Sequence, residues 1–300
     1  MQQLTGKTAL ITGGASGIGL GMAQAFLAAG IKLAIADINE TALEAAKSTL
    51  PGLGLAVKLD VTRAENWEHA LNATEAALGP IDILCNNAGV GQGRFADGRD
   101  TTVAELPEAL WRMVLEINAT GTFLGSQAMA RRMLARGQGG HIVNTASTGG
   151  LMAPAGIAAY CASKFAVVGL SESMRAELSS AGIGVSVLCP GGVRSNLFTS
   201  SAALRAAVPG ASEGMATERT EASLLEQSLR MNPVHVGEMV LRAIAANALY
   251  IIPHPEYLGH IEERHAALVA AFGDSAQPGY RDTDVTFERF RNTEYARAPR

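Results

Sequence analysis

The chain has 300 residues, 48% hydrophobic and 17% charged, with 24 basic against 28 acidic side chains for a formal net charge of −4. That length suits one α/β domain of roughly 250 residues plus an appendage, and the composition excludes a disordered or fibrous chain. The acidic balance and the absence of Lys/Arg blocks exclude a basic nucleic-acid footprint and a polybasic membrane anchor. In chain order, apolar runs at residues 8–12, 33–36, 54–59, 81–86, 141–147, 184–189 and 249–252 predict seven strands. Several are apolar almost throughout, as strands covered on both faces are. Between them, residues 17–29, 40–50, 63–78, 107–136 and 154–180 read as helices. In the first, Ile18, Met22, Ala25, Phe26 and Ala29 make a 3.6-period stripe, and Gly30 and Gly182 supply stop signals. Alternating strands and helices predict an α/β fold with a doubly wound parallel seven-stranded sheet, whose ligands bind beyond the carboxyl ends of the strands.

Residues 196–232 mix Ser, Ala, Thr and charges around Pro209-Gly210 without a clear strand, as a substrate lid would. After Pro253 the chain is surplus to the sheet. Residues 257–272 read as an amphipathic helix through Leu258, Ile261, His265, Leu268 and Phe272, and 274–300 as a charged tail that adds little to a core. The expected division is a catalytic domain at 1–255 and, at 256–300, an extension covering the sheet edge or a neighbouring subunit. No apolar run approaches the ~18–20 residues of a membrane span, and no signal peptide is expected. Three scattered cysteines, Cys85, Cys161 and Cys189, without a C-x-x-C pair, read as reduced thiols in a cytoplasmic protein. His254, His260 and His265 cluster in sequence, but their spacing does not share one helical face, so no metal site is expected.

Thr12-Gly13-Gly14-Ala15-Ser16-Gly17-Ile18-Gly19 follows the first strand and opens the first helix. Glycines there let the backbone turn sharply and approach a pyrophosphate, whose charge is stabilised at the helix N-terminus. The second strand ends at Asp37, placed to accept from ribose hydroxyls and to repel a 2′-phosphate. No Lys or Arg occupies 14–16 or 38–39, so NAD is expected over NADP. The competing reading of Asp37 is a helix cap. Tyr160 and Lys164 lie four apart on a predicted helix and share a face, while Ser147 ends a strand. A free tyrosine titrates near 10. An adjacent ammonium and the positive nicotinamide ring would lower that value and equip Tyr160 for proton transfer.

With these motifs the chain resembles the short-chain dehydrogenase/reductase family over roughly residues 5–255. The matching residues are Thr12-Gly13-x-x-x-Gly17-x-Gly19, Asp60-Val61, Asn86-Asn87-Ala88-Gly89, Asn118, Ser147, Tyr160-x-x-x-Lys164 and Pro190-Gly191-Gly192-Val193. The resemblance implies a Rossmann-type NAD(P)-dependent oxidoreductase transferring hydride between nicotinamide and a secondary alcohol or ketone. In it, Asp60 and Val61 would hold the adenine, Asn87, Ala88 and Gly89 would line the cofactor, and Asn118 would anchor a proton-relay water. Tyr160 would move the proton, Ser147 would hold the substrate oxygen, and Lys164 would also bind the nicotinamide ribose. Pro190, Gly191 and the Val193 backbone would meet the carboxamide. Ser195 stands where many members have Thr and keeps the hydroxyl. Such proteins usually form homodimers or homotetramers through the helices matching 107–136 and 154–180.

Gly149, Leu151, Met152, Leu197 and Phe198, with Val90 and Met215, are candidates for an apolar substrate pocket; core packing is an equal reading for Leu151 and Met152. Residues 90–110 look a few residues long for the family, and their charges (Arg94, Asp97, Arg99, Asp100) favour a solvated loop over a lengthened rim. Residues 247–256 are similar to the C-terminal segment of bacterial aryl-alcohol Cα-dehydrogenases of the lignin-degrading type, which points to a bulky hydrophobic or aromatic alcohol. Two alternatives remain. A 3-oxoacyl-carrier-protein reductase is disfavoured by Asp37 and the net charge; a non-catalytic NAD-sensing protein has no need of Ser147 or Tyr160.

Overall fold

A computed structural model describes residues 3–217, 228–273 and 291–297. The strands are β1 (Thr8–Thr12), β2 (Lys32–Asp37), β3 (Leu55–Lys58), β4 (Ile83–Asn86), β5 (Gly140–Thr145), β6 (Ile183–Leu188) and β7 (Tyr250–Ile251). They form one parallel sheet in the order β3-β2-β1-β4-β5-β6-β7. Strand order reverses between β1 and β4, and this switch opens a crevice at the carboxyl ends. Every residue of β1, β5 and β6 is buried, as in a parallel sheet covered on both faces.

Helices α1 (Gly17–Ala28), α2 (Glu40–Thr49) and α8 (Pro233–Ala246) cover one face around Ile11, Phe26, Leu33, Ile35, Val236 and Val240. The approach of α1 to α8 depends on glycines: a Cβ on Gly21 would lie 2.3 Å from Pro233, and one on Gly237 would lie 2.7 Å from the Gly21 carbonyl. The other face packs Leu10, Trp67, Leu84, Met129, Ile142 and Val185 beneath α3 (Ala64–Leu78), α5 (Gly121–Arg136) and α6 (Ala158–Leu178). Full burial of such a side chain contributes about 1.5–3 kcal/mol. A polar chain crosses this second face: Asn86 Nδ2 donates to Asn144 Oδ1 and Ser126 Oγ, and Asn144 Nδ2 donates to Ser171 Oγ. Such bonds fix the relative placement of β4, β5, α5 and α6.

Two expectations need adjustment. The long helix at 107–136 is α4 (Glu108–Leu115) running into α5 through a π-helical turn at Glu116–Thr120. The C-terminal extension divides differently from the sequence reading. Helix α9 (Leu258–Ala270) forms, but none of its residues is buried, and Leu258, Leu268, Val269 and the following Phe272 are exposed. Its described contact with the sheet domain includes Arg264, whose guanidinium lies 5.0 Å from the Phe165 ring centroid. The charged tail does reach the core. Glu294 is 3% exposed and pairs with Arg175 of α6 at 2.8 Å, while Tyr295 and Asn292 bond to Glu172. Residues 274–290 and 298–300 of the tail and 218–227 of the expected lid lie outside the described residues.

Candidate active site

At the carboxyl ends of the strands lies a cavity of about 1000 Å³. Its first half is the glycine turn between β1 and α1. Gly13 and Gly17 have φ of +62° and +52°, which L side chains adopt only under strain. A Cβ on Gly13 would lie 3.0 Å from the Ala88 Cα, and one on Gly17 would lie 2.9 Å from the Ser195 Cβ. Gly19 does not line the cavity. Its missing side chain lets α1 close on the turn, since a Cβ there would lie 2.1 Å from the Gly13 carbonyl. The turn is tied to β4 by Thr12 Oγ1, which accepts from the amides of Asn87 and Ala88, and by Asn87 Nδ2, which donates to the Thr12 carbonyl.

Gly13, Ser16, Gly17, Ile18, Asp37, Asp60, Val61, Asn87, Ala88 and Gly89 all line this half. The cap of α2 is Asn39, which accepts from the Ala42 amide, so the competing reading of Asp37 falls to its neighbour. Asp37 faces the cavity and accepts from the amides of Asn39 and Ala15. Asp60 Oδ1 accepts from the Thr62 amide and hydroxyl, which leaves Oδ2 outside that turn. A backbone cradle that no Cβ fits, followed by a carboxylate at the end of β2, fits a dinucleotide.

Ser147, Tyr160 and Lys164 meet in the second half and line the cavity together with Pro190, Gly191, Val193 and Ser195. Ser147 Oγ accepts from the Gly149 amide and donates to the Pro190 carbonyl. Burial pushes the Tyr160 phenol above its ordinary value, against the pull of a hydrogen bond with Ser147. Desolvation sets this direction by disfavouring the phenolate, while Lys164 Nζ lies over the ring at 5.7 Å from its centroid and donates to the Thr145 carbonyl at 2.9 Å. Burial also pulls Lys164 down to about 8. A Cβ on Gly89 would lie 3.0 Å from Asn118 Oδ1 and 3.4 Å from Lys164 Nζ, so this stretch runs close against both side chains.

Asn118 is fully buried on the π-helical turn and does not line the cavity. Its side chain exchanges two hydrogen bonds with the Val90 backbone and donates to Ser163 Oγ. Turns of this kind concentrate at functional sites. Sequence reasoning missed His254, which is 4% exposed and accepts from the Gly191 amide through Nδ1, with Nε2 set against the Gly192 carbonyl. It braces the Pro190-Gly191-Gly192 turn from 62 residues away.

The remaining wall of the cavity is made by Val90, Ala109, Met113, Leu197, Leu204 and Val208, with Arg112, Glu116 and Arg230 also on its lining. Of the pocket residues expected from sequence, Leu197 and Val90 line it, whereas Gly149, Leu151, Met152, Phe198 and Met215 do not. Leu151 packs against Ala146, Val167 and Val187, and Met215 packs in a cluster with Val90 and Met113. The residues that replace them come from α4, from α7 (Leu197–Ala206) and, at Val208, from the turn after it, none of which a local pattern marks as pocket-facing.

The 90–110 loop is also more than a solvated excursion. Its charged pairs, Arg94–Asp100 and Arg99–Asp97, are exposed as expected, but Gln92 and Thr101 are each 1% exposed. Phe95 forms an antiparallel bridge with Met215, and amides of Ala96 and Ala216 donate across the same pairing. The loop is therefore tied by backbone pairing to residues 214–216, within the segment expected as a lid.

A family model for short chain dehydrogenases matches residues 7–205. The chain is 35% identical over 293 residues to a C alpha-dehydrogenase from a Sphingobium species, covering 96% of this chain and 92% of that one. It is 39% identical over 197 residues to 3beta-hydroxysteroid dehydrogenase 2 from Eggerthella lenta, covering 65% of this chain and 74% of that one. A short chain dehydrogenase/reductase from Burkholderia phymatum, solved in complex with NAD, superposes with a TM-score of 0.78 at 32% identity, covering 92% of this chain and 99% of that one. The motif order, the sheet topology and these matches agree: the chain belongs to the short-chain dehydrogenase/reductase family of oxidoreductases.

Proposed function

We propose that the protein interconverts a secondary alcohol and its ketone with NAD, and that the substrate is bulky and apolar or aromatic. The observation that carries this reading is the cavity itself. It runs from Asp37 past the Ser147–Tyr160–Lys164 cluster to a wall of Ala109, Met113, Leu204 and Val208. NAD, when bound, supplies the acceptor for hydride from the alcohol carbon, or the donor in reverse. Gly13, Ser16, Gly17, Ile18, Asp37, Asp60, Val61 and Asn87 to Gly89 would hold its adenosine and pyrophosphate, with Pro190, Gly191, Val193 and Ser195 at the nicotinamide end.

Tyr160 Oη takes the substrate's hydroxyl proton during oxidation and donates it during reduction. Ser147 Oγ orients the substrate oxygen, and Lys164 places positive charge near the phenol. Positioned proton transfer of this kind is worth roughly 10²–10⁴ in rate. Asp37 supports NAD over NADP, because a carboxylate beside a 2′-phosphate is a like-charge contact. The hydroxysteroid dehydrogenase relative supports a bulky alcohol. Exposed Trp111 and Phe123 on α4 and α5 support assembly as a homodimer or homotetramer, and three buried, unbridged cysteines support a reducing, cytoplasmic setting.

Tyr160→Phe tests the assignment. Turnover should fall at least ~100-fold, the lower end of a proton-transfer contribution, with NADH affinity nearly unchanged by fluorescence titration. Retention of more than about a tenth of the activity removes Tyr160 from the role.

A further inference from the structure

Helix α6 carries Tyr160 in its first turn, where N–H groups have no partner within the helix. Its own N-cap residue, Ile157, offers no side-chain acceptor. The acceptor comes from another part of the chain: Gln92 Oε1 receives the Ala159 amide at 2.8 Å and the Tyr160 amide at 3.3 Å. Gln92 Nε2 donates to the Gly156 carbonyl at 3.1 Å and to Thr101 Oγ1, so both ends of the amide are engaged.

The backbone around Gln92 is gripped from the lid helix α7. Ser201 Oγ accepts from the Gly91 amide at 2.9 Å, and Arg205 Nη1 reaches the Gln92 carbonyl at 3.4 Å. Ser201 and Arg205 are one turn apart and both 1% exposed. No carboxylate pairs with Arg205 among the described residues; Nη2 donates to the Ala216 carbonyl, and Nε has no hydrogen-bond partner. Gly93 makes room for this guanidinium, since a Cβ there would lie 2.7 Å from Nη1. A buried, unpaired cation costs stability, and backbone carbonyls are what it holds here.

We propose that Gln92 is a positioning residue for the reaction, capping the helix that carries Tyr160 while its own backbone is held by Ser201 and Arg205 of the substrate lid. The placement of the lid and the placement of the phenol are thereby one coupled arrangement. The proposal rests on the reading of Tyr160 as the proton-transfer group.

The test is a double-mutant cycle in the full-length protein, with Gln92→Met, Arg205→Met and the pair, read as kcat for oxidation of a bulky secondary alcohol alongside NADH affinity. Each single variant should lower kcat by about tenfold or more, on the scale of the ~10²-fold cost of a 1 Å misplacement, with NADH affinity within about twofold of the parent. The double variant should lose less than the product of the two, because residues in one network do not act independently. An unchanged kcat in Q92M, losses that multiply, or a parallel loss of NADH binding overturns the proposal. If either variant fails to fold, Thr101→Val removes one partner of Gln92 with little change of shape. It should lower kcat about threefold at unchanged NADH affinity, a fraction of the misplacement cost, and an unchanged kcat overturns the proposal equally. Y160F run in the same series separates the two levels. If it keeps turnover, the tyrosine reading fails and the proposal with it; if it loses turnover while Q92M does not, the proposal alone fails.

Discussion

Asp37 and Gln92 mark the two extremes of what a local pattern carries at the scale of single residues. Asp37 follows the glycine turn at a fixed distance and sits at the end of a strand, so its place beside the cofactor cradle is legible from neighbours in sequence. The charge on Asp37 makes a direct prediction. Two like charges at ~4 Å in water-like surroundings repel by about 1 kcal/mol. Asp37→Asn keeps one acceptor for the Asn39 and Ala15 amides and should shift the ratio of kcat/KM for NAD over NADP by about five- to tenfold toward NADP, as that energy implies. Initial rates with both dinucleotides read this; an unmoved ratio takes discrimination away from Asp37. Gln92, by contrast, acts on amides 67 and 68 residues away. A glutamine in a charged loop carries no local mark of that. His254 is hidden for a similar reason: its spacing to the other C-terminal histidines says nothing about the turn at Gly191 that it braces.

Elements were legible where one physical cause dominated. Several strands are apolar almost throughout, and β1 matches its expected bounds at Thr8–Thr12 because both faces are covered. The π-helical turn at Glu116–Thr120 was not legible, since it carries a bond between Asn118 and Val90, 28 residues apart, that no local propensity marks. Within β5, His141 is 1% exposed with Nε2 at 2.8 Å from Ser186 Oγ. Burial, helped by the Arg175 charge, lowers its pKa from 6.5 to about 3. The unfolded chain therefore binds a proton between those values that the folded chain does not. Stability contributed by the neutral imidazole is complete above about 6.5 and is lost as pH falls toward 3, by up to ~1.4 kcal/mol per pH unit. His141→Gln should flatten the fall in denaturation midpoint across that window. An unchanged acid slope would place the sensitivity elsewhere.

For the whole molecule, the surplus beyond the sheet has two different fates. Helix α9 extends outward with Leu258, Leu268, Val269 and Phe272 exposed, whereas residues 291–297 return to α6. That return was hidden in the sequence because charge density suggested solvent, while a single carboxylate with a buried arginine opposite belongs inside. Arg175 is 9% and Glu294 2% exposed at the side chain, and Arg175 also donates to Asn247 Oδ1 and to the Asn247 carbonyl. Glu294→Gln should destabilise by about 3 kcal/mol, the low end for breaking a buried pair, since Asn247 still serves the guanidinium. Deletion of 274–300 should lower the melting temperature similarly while NADH affinity is kept. Loss of NADH binding on deletion would mean that the tail belongs to the cofactor site.

The most direct measurement of the central claim is the initial rate of NADH formation by the full-length protein on a panel of aryl, steroid, sugar and acyl secondary alcohols, run in parallel with NADP. The account predicts turnover with NAD, fastest on bulky apolar or aromatic alcohols and about fivefold or more above the NADP rate, the discrimination expected from one opposed charge. Tight NADH binding without turnover on any member of the panel, or faster turnover with NADP, would contradict it.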